Sequence, residues 1–258
     1  VIPNVFFQNL EPRGKMNTID FENVPDDFEH FGAGKFEDFS WKDVLDAYTC
    51  TECGRCTDNC PAWATDKALS PRDIVVKLRH FVTENANSDA MKEEYLPSDE
   101  WVTADELYAC TTCSACVEQC PLFIDQMGKI LEMRRFLTME GKLTGTAVRT
   151  LQKLGSHGNP WGFEATDRAP WAKENEVPVL GNGAGDNAED FDVIFWTGCF
   201  GAFDPRGQEV ATTITDLMKE AGVKFAIMGP NETCSGDPAR RLGEEALFQE
   251  LAMTNVET

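Results

Sequence analysis

The chain has 258 residues, of which 42% are hydrophobic, enough for one large domain or two smaller ones. Its formal net charge of −21 is spread along most of the chain, repels phosphate backbones and argues against nucleic-acid binding. No stretch approaches the roughly 18 apolar residues of a membrane-spanning helix, and the first residues lack the basic and apolar regions of a signal peptide. We therefore expect a reducing compartment, where the ten cysteines indicate metal ligation and not disulfides.

The first 40 residues are irregular, because Pro and Gly recur through them, and we expect residues 1–40 to form an extended arm that wraps a neighbour or leads from a previous domain. A short helix over residues 41–48 follows, with its apolar residues on one face. Further on, Ser70-Pro71-Arg72-Asp73 supplies an N-cap, a proline at the first helical position and a capping-box acid. This pattern predicts a helix over residues 71–82.

A second pair of helices is predicted from residue 104 onward. A short helix covers residues 104–109, and a longer one follows with a single apolar side and a plausible stop at Gly141. The residues that mark this helix are Ile130, Leu131, Met133, Arg134 and Leu137. Residues 41–141 are therefore expected to form one α-helical domain.

Each pair of helices flanks a copy of the pattern C-x-x-C-x-x-C-x-x-x-C-P, and the two copies begin 60 residues apart. The copies comprise Cys50, Cys53, Cys56, Cys60 and Pro61, and Cys110, Cys113, Cys116, Cys120 and Pro121. This pattern holds a [4Fe–4S] cluster in bacterial two-cluster ferredoxins, where the fourth cysteine ligates the other cluster. Zinc is the alternative, but a zinc site usually takes its four ligands from two C-x-x-C pairs.

Carried onto this chain, the crossed arrangement gives two ligand sets, with each proline turning the chain away beside a cluster. The first set is Cys50, Cys53, Cys56 and Cys120, and the second is Cys110, Cys113, Cys116 and Cys60. Because helices fill the 60-residue interval, the repeat predicts an α-helical ferredoxin with two [4Fe–4S] clusters. Two interpretations stay open for Arg55 and Lys67, namely that their charge tunes a cluster potential or that they are solvated or paired with local acids. Glu52 is expected to be exposed.

Residues 142–190 are rich in Gly, Asn and Pro and are expected to form a linker. It contains Gly181-Asn182-Gly183-Ala184-Gly185, which precedes a predicted strand. A phosphate-binding loop would follow a strand, so this segment is interpreted as part of the linker.

Residues 191–258 change to a β-α-β-α pattern, the opening of a parallel α/β domain. Its elements are a buried strand at 192–197, a helix at 208–221, a strand at 223–228 and a helix at 238–255. Cys199 and Cys234 lie in the loops after the strands, where α/β folds place their sites. Metal ligation and a pair of buried inert thiols both remain open for them.

Two short motifs carry a family resemblance. Thr197-Gly198-Cys199 and Thr233-Cys234-Ser235-Gly236 resemble the first elements of the CCG domain of iron–sulfur proteins grouped with the D-type polypeptide of heterodisulfide reductase. The resemblance implies an overall α+β chain, with a helical two-cluster ferredoxin domain followed by a partial CCG-type domain over 191–258. Ser235 stands where the family has a second cysteine. A third cluster would therefore use Cys199, Cys234 and cysteines beyond residue 258.

Further segments, among them Gly158-Asn159-Pro160-Trp161-Gly162, resemble the membrane-anchored branch of that family. This resemblance implies an iron–sulfur electron-transfer unit of a respiratory oxidoreductase at the cytoplasmic side of the membrane. Its partners would be a flavoprotein, such as electron-transfer flavoprotein, and a membrane domain or subunit that binds haem and quinone. Because the chain starts without Met, we expect it to be part of a longer polypeptide that holds this membrane domain.

Two alternatives follow from the same family. One is a catalytic subunit that reduces a disulfide as heterodisulfide reductase does, against which Ser235 argues. The other is the iron–sulfur subunit of a glycolate, lactate or glycerol-3-phosphate dehydrogenase. In each reading the cysteines are metal ligands, and no acid–base catalytic residue is expected.

Overall fold

The computed structural model describes residues 2–7, 14–24, 30–85, 95–181 and 190–258. The chain divides into two compact units, Val1–Leu143 with Arg241–Glu245 and Thr144–Arg240 with Ala246–Thr258. None of the helices in the described ranges has the length and apolar character needed to cross a membrane. The α-helices are α1 (Ile2–Phe6), α2 (Trp41–Thr49), α3 (Arg55–Asp58), α4 (Pro71–Asn85), α5 (Ala104–Tyr108), α6 (Ala115–Gln119), α7 (Gln126–Met139), α8 (Thr146–His157), α9 (Pro170–Glu174), α10 (Gly198–Phe203), α11 (Pro205–Glu220), α12 (Asp237–Leu242) and α13 (Glu245–Glu257).

The first unit is helical, and the structure confirms the predicted α-helical class. Helices α2 and α5 each begin with a capping box, made by Ser40 with Asp43 and by Thr103 with Glu106. Each of these helices leads directly into a cysteine run, and α4 and α7 follow the runs. The buried faces of the helices share one apolar core, to which Phe81, Leu107 and Ile130 contribute.

Helix α7 was expected to have one apolar side, and this prediction was wrong, because α7 is buried around most of its circumference. Its charged residues find partners inside the unit. The Lys129 Nζ lies 2.8 Å from Asp46 Oδ2 and 2.9 Å from Asp43 Oδ1, and the Arg135 Nη2 lies 2.9 Å from Glu245 Oε2. A helical pattern read from apolar residues alone cannot reveal a buried face whose charges are paired.

The N-terminal stretch packs onto its own unit in the ranges that the structure describes. Asn4 of α1 is fully buried and donates to Asp46 Oδ1 at 2.9 Å and to the Leu122 carbonyl at 2.6 Å. Farther along, the Ala33 N–H donates to the Glu132 carbonyl of α7 at 2.9 Å. Part of the stretch predicted as an extended arm is therefore helical, and it is hydrogen-bonded to its own unit.

The second unit contains a parallel pair of strands, β1 (Val193–Ile194) and β2 (Phe225–Ala226), with Val193 opposite Phe225 and Ile194 opposite Ala226. This order confirms the predicted start of a parallel α/β domain. The expectation that the first strand is buried was wrong, since both residues of β1 are exposed and both of β2 are buried. The chain through β2 also pairs on its other side, through a bridge between Val179 and Ile227, which covers it.

The stretch at 142–190, expected to be a linker, carries α8, α9 and a 3-10 helix at Ala165–Arg168 in its described part. Leu154 and Trp171 from this stretch are buried in apolar clusters of the second unit. Gly158, in this stretch, ends α8 in the left-handed conformation with φ of 64°. Residues 182–185 of the glycine-rich segment lie outside the described residues.

The helix predicted over 238–255 is interrupted between α12 and α13. Gly243 has a φ of 99°, and a Cβ atom there would lie 2.6 Å from the carbonyl carbon and oxygen of Arg134. Only glycine combines that backbone conformation with such a close approach. A helical apolar pattern does not report either requirement, so the sequence pattern alone predicted one continuous helix.

We expect Gly243→Ala to destabilise the protein by roughly 2 kcal/mol or more, because it adds a clash with backbone to a strained conformation. Gly222→Ala is the matched control: its φ is 70°, but a Cβ there would meet no atom within 4 Å. That variant should cost about 1 kcal/mol from backbone strain alone. Urea unfolding followed by circular dichroism measures both, and equal losses would contradict the packing role of Gly243.

Candidate metal centres

The two cysteine runs adopt the same backbone conformation. Glu52 and Thr112, each two residues after the first cysteine of its run, have φ values of 57° and 52°. Gly54 and Ser114, two residues farther on, have φ values of 84° and 63°. Left-handed conformations are costly for residues other than glycine, and such strain is held only where the surrounding structure requires it. The internal repeat seen in the sequence is therefore a structural repeat.

Each run contributes to two cavities. One is lined by Cys50, Cys53, Cys56, Cys120 and Pro121 among others. The other is lined by Cys110, Cys113, Cys116, Cys60 and Pro61 among others. The structure thus brings together each predicted set of four thiols, with the fourth member and its proline supplied by the opposite run. Thiolates are the ligands that hold [4Fe–4S] clusters, so the donors of each cavity fit that cofactor.

The cysteines of each cavity differ in exposure. Cys53 and Cys113 are exposed, whereas Cys56, Cys60 and Cys116 are buried. Burial raises the pKa of the Cys56 thiol to about 11 and also raises the pKa of the Cys116 thiol. Buried thiols of this kind become thiolates when a metal supplies compensating positive charge.

For each run, one arginine donates a hydrogen bond to the carbonyl oxygen of the first cysteine. The sequence did not predict this role. The Arg79 Nη1 donates to the Cys50 carbonyl at 3.2 Å, and the Arg134 Nη2 donates to the Cys110 carbonyl at 2.6 Å. Arg79 also pairs with Glu52, which is exposed as expected. The two loops are therefore held by equivalent contacts from α4 and α7.

The second unit brings Cys199 and Cys234 together. Both are buried free thiols, and their sulfur atoms are hydrogen-bonded to each other. Cys199 lies in the first turn of α10. Cys234 is fixed on both sides, since its N–H donates to the Gly158 carbonyl at 2.7 Å and its carbonyl accepts from Asn255 Nδ2 at 3.0 Å. Ser235, in the position of the family's second cysteine, is exposed.

A buried ion pair adjoins these thiols. Arg168 donates from Nη2 to the Cys199 sulfur at 3.2 Å and from Nη1 to Glu232 Oε1 at 2.9 Å. The other oxygen of Glu232 accepts from Thr197 Oγ1 at 3.0 Å. Burial raises the pKa of Glu232, while the hydrogen bond from Cys199 lowers the pKa of Cys234 to about 6. The two sulfurs can thus share one proton next to a fixed positive charge.

Sequence reasoning missed Arg168 because it fell in the stretch interpreted as a linker. Glu232 directly precedes the motif Thr233-Cys234-Ser235-Gly236, and the sequence assigned it no role. The signal that could have pointed to Arg168 and Glu232 is the presence of two segments that resemble the family, one containing Gly158 and the other Cys234. The structure joins these segments by a hydrogen bond.

Comparison with known families agrees with this geometry. A family model for the 4Fe-4S dicluster domain matches residues 42–121, and one for the cysteine-rich CCG domain matches residues 193–258. The chain is thus an iron–sulfur protein whose first domain binds two [4Fe–4S] clusters. The two domain matches support the resemblance to the CCG-domain iron–sulfur proteins grouped with the D-type polypeptide of heterodisulfide reductase.

Three proteins with similar sequences illustrate this resemblance. The chain is 37% identical to the probable iron-sulfur-binding oxidoreductase FadF of Bacillus subtilis, over 98% of this chain and 41% of the relative. It is 34% identical to the EtfAB:quinone oxidoreductase of Syntrophomonas wolfei, over 99% of this chain and 39% of the relative. It is 27% identical to the D-type polypeptide of the dihydromethanophenazine:CoB–CoM heterodisulfide reductase of Methanosarcina barkeri, over 83% of this chain and 52% of the relative. The chain spans about two fifths of the length of the first two.

Proposed function

We propose that the chain relays electrons between a flavoprotein and a quinone- or haem-binding partner in the membrane. The observation that carries the proposal is the pair of cavities, each lined by four thiols and each containing one exposed cysteine, Cys53 or Cys113. When bound, [4Fe–4S] clusters accept and donate single electrons. A relay needs an entry and an exit at the surface, and two exposed thiols on different cavities suit both.

The ligand sets of the proposal follow the two cavities. Three cysteines of the first run act with Cys120, and three of the second run act with Cys60. The crossing makes each cavity depend on both runs, so that neither loop can move without the other. Pro61 and Pro121 line the cavities beside the crossing cysteines and, lacking an N–H, fix the chain direction there.

The proposed electron-transfer partners are inferred from the names of similar proteins and from the net charge of this chain. One relative is named a quinone oxidoreductase for EtfAB and another a probable membrane-anchored ferredoxin, the latter 34% identical over 88% of this chain. A net charge of −21 favours a partner with a basic docking face and makes association fall with rising salt. We place the chain at the cytoplasmic side of the membrane, attached to a membrane domain or subunit.

Cys199 and Cys234 are proposed as two ligands of a third cluster, completed by residues outside this chain. They are adjacent and buried, which suits metal ligation. The chain holds ten cysteines, of which eight lie in the two runs, so it supplies two thiols to this site. Arg168 would stabilise their negative charge.

The proposed relay is tested by rapid mixing of the complete polypeptide, in membranes, with reduced electron-transfer flavoprotein under anaerobic conditions. Iron–sulfur absorbance should bleach, and it should recover when a menaquinone analogue is added. The bleaching rate should fall several-fold between about 50 and 200 mM salt. A reduced lactate or glycerol-3-phosphate dehydrogenase flavoprotein is the comparison. Faster bleaching by that protein would assign the chain to the dehydrogenase alternative.

A catalytic role like that of heterodisulfide reductase is the second candidate, favoured by the likeness to the Methanosarcina barkeri polypeptide over 83% of this chain. Ser235 argues against it, because the doubled cysteine of the family is absent. Reduction of a mixed organic disulfide by the reduced polypeptide would support this candidate, and the expected result is no turnover.

A further inference from the structure

The two cysteine runs differ in how their arginines are neutralised. Arg79 forms an ion pair with Glu52, whose side chain is 51% exposed. Arg134 is 3% exposed, and its described acceptors are all backbone carbonyls: those of Leu107, Cys110 and Arg241. The first loop therefore carries Arg79 in an ion pair with the exposed Glu52, together with Arg55, whose side chain is exposed to solvent, whereas the second loop carries a buried cation.

The difference arises from one position of the repeat. Thr112 occupies in the second run the place that Glu52 occupies in the first, with the same left-handed backbone conformation. A threonine cannot neutralise Arg134, and Thr112 instead accepts hydrogen bonds from a second arginine, Arg241. Tyr108, whose ring lies 5.2 Å from the Arg134 guanidinium carbon, is neutral near pH 7. The second loop thus has the buried cation Arg134 beside it and no acid at the place that Glu52 occupies in the first loop.

We propose that Arg134 raises the reduction potential of the cluster held by the second run above that of the cluster held by the first run. This inference rests on the proposed ligand sets. Reduction adds one negative charge to a cluster, and a nearby cation stabilises that charge. The effect is strong for a buried cation, because solvent screens it little, and weak for an exposed ion pair, whose charges cancel. Electrons entering the relay then settle on the cluster held by Cys110, Cys113, Cys116 and Cys60.

Arg134 has two roles here: its hydrogen bonds position the loop, and its charge acts on the cluster. Two replacements separate these roles. Arg134→Gln keeps a hydrogen-bond donor but removes the charge, whereas Arg134→Lys keeps the charge with fewer hydrogen bonds. We expect Arg134→Gln to shift the one-electron equilibrium of the second cluster roughly tenfold toward the oxidised form, about 59 mV. Arg134→Lys should leave it near the wild-type value.

The measurement is an anaerobic redox titration followed by electron paramagnetic resonance. Cys120→Ala retains the second cluster alone and Cys60→Ala the first alone, so each midpoint can be assigned. A higher midpoint in Cys120→Ala than in Cys60→Ala supports the proposal, and the reverse order overturns it. This comparison needs no Arg134 variant and stands even where Arg134→Gln fails to assemble.

The first run supplies matched controls. Arg79→Gln should shift the first midpoint much less than Arg134→Gln shifts the second, and Glu52→Thr, which removes the acid beside Arg79, should raise the first midpoint. Equal shifts for the two arginines would overturn the proposal, as would equal shifts for Arg134→Lys and Arg134→Gln. Iron and sulfide analysis of the wild-type protein distinguishes failure of the proposed function from failure of this inference. Absence of clusters contradicts the proposed function, whereas two clusters with reversed midpoints contradict this inference alone.

Discussion

Cys60→Ala is expected to abolish the cluster of the second run and to leave that of the first intact, although Cys60 belongs to the first run in sequence. The cavity that Cys60 lines contains Cys110, Cys113 and Cys116 and none of its own run's other cysteines. The variant should lose about four iron atoms, with a matching loss of sulfide. Electron paramagnetic resonance of the reduced protein should then show one cluster without magnetic coupling to a neighbour.

Cys120→Ala is the reciprocal variant and should abolish the cluster that Cys50, Cys53 and Cys56 help to hold. A second substitution, at an exposed cysteine ligand, shows which cluster remains in the variant. Cys113→Ala in the Cys60→Ala background should cause no further iron loss, whereas Cys53→Ala should remove the remainder. Ligation within each run predicts the opposite pair of outcomes and would contradict the crossed arrangement.

Arg168→Met should destabilise the second unit by about 3–5 kcal/mol, because it leaves the carboxylate of Glu232 buried without its counter-charge. Glu232 is 1% exposed and Arg168 is 2% exposed. Replacing both, as Arg168→Met with Glu232→Gln, removes the isolated charge and should recover a large part of the loss. Thermal unfolding followed by circular dichroism, on the polypeptide with its clusters intact, compares the wild type with the single and double variants.

The loss in Arg168→Met should depend on pH. Burial already raises the pKa of Glu232 above its ordinary value of 4.5, and Arg168 opposes that rise. Without Arg168 the folded-state pKa rises further, so the folded protein binds a proton more tightly than the unfolded one. Stability then falls as pH rises from 4.5 through the folded-state pKa. The variant should therefore lose less stability near pH 5 than near pH 8, and a loss independent of pH would contradict an unpaired carboxylate.

The cysteine spacing carried most of what could be predicted about the first unit. Three thiols at intervals of three and a fourth before proline require converging loops, and Ser40 with Asp43 marks where a helix begins. The positions that escaped prediction depend on tertiary contacts. Gly243 breaks a helix because the backbone of Arg134 lies against it, and the charges of α7 are buried because acids from other elements meet them.

The second unit was predicted less completely for a related reason. Its strands are two residues long, and their apolar patterns did not reveal that β2 is buried while β1 is exposed. Arg168 is one of several charged residues in the stretch at 142–190, with Asp167 directly before it, and nothing local distinguishes it from a solvated arginine. Its role becomes visible only when folding places Glu232 and Cys199 beside it.

The exposure of Cys53 and Cys113 also bears on the lifetime of the protein in air. Each exposed thiol marks a place where small molecules reach a cavity, and dioxygen is far smaller than any protein partner. A relay that is open to its partners is therefore open to oxidative damage at the same two points. A docked partner that covers Cys53 or Cys113 would shield as well as exchange electrons, and the free protein should lose its colour in air faster than the complex.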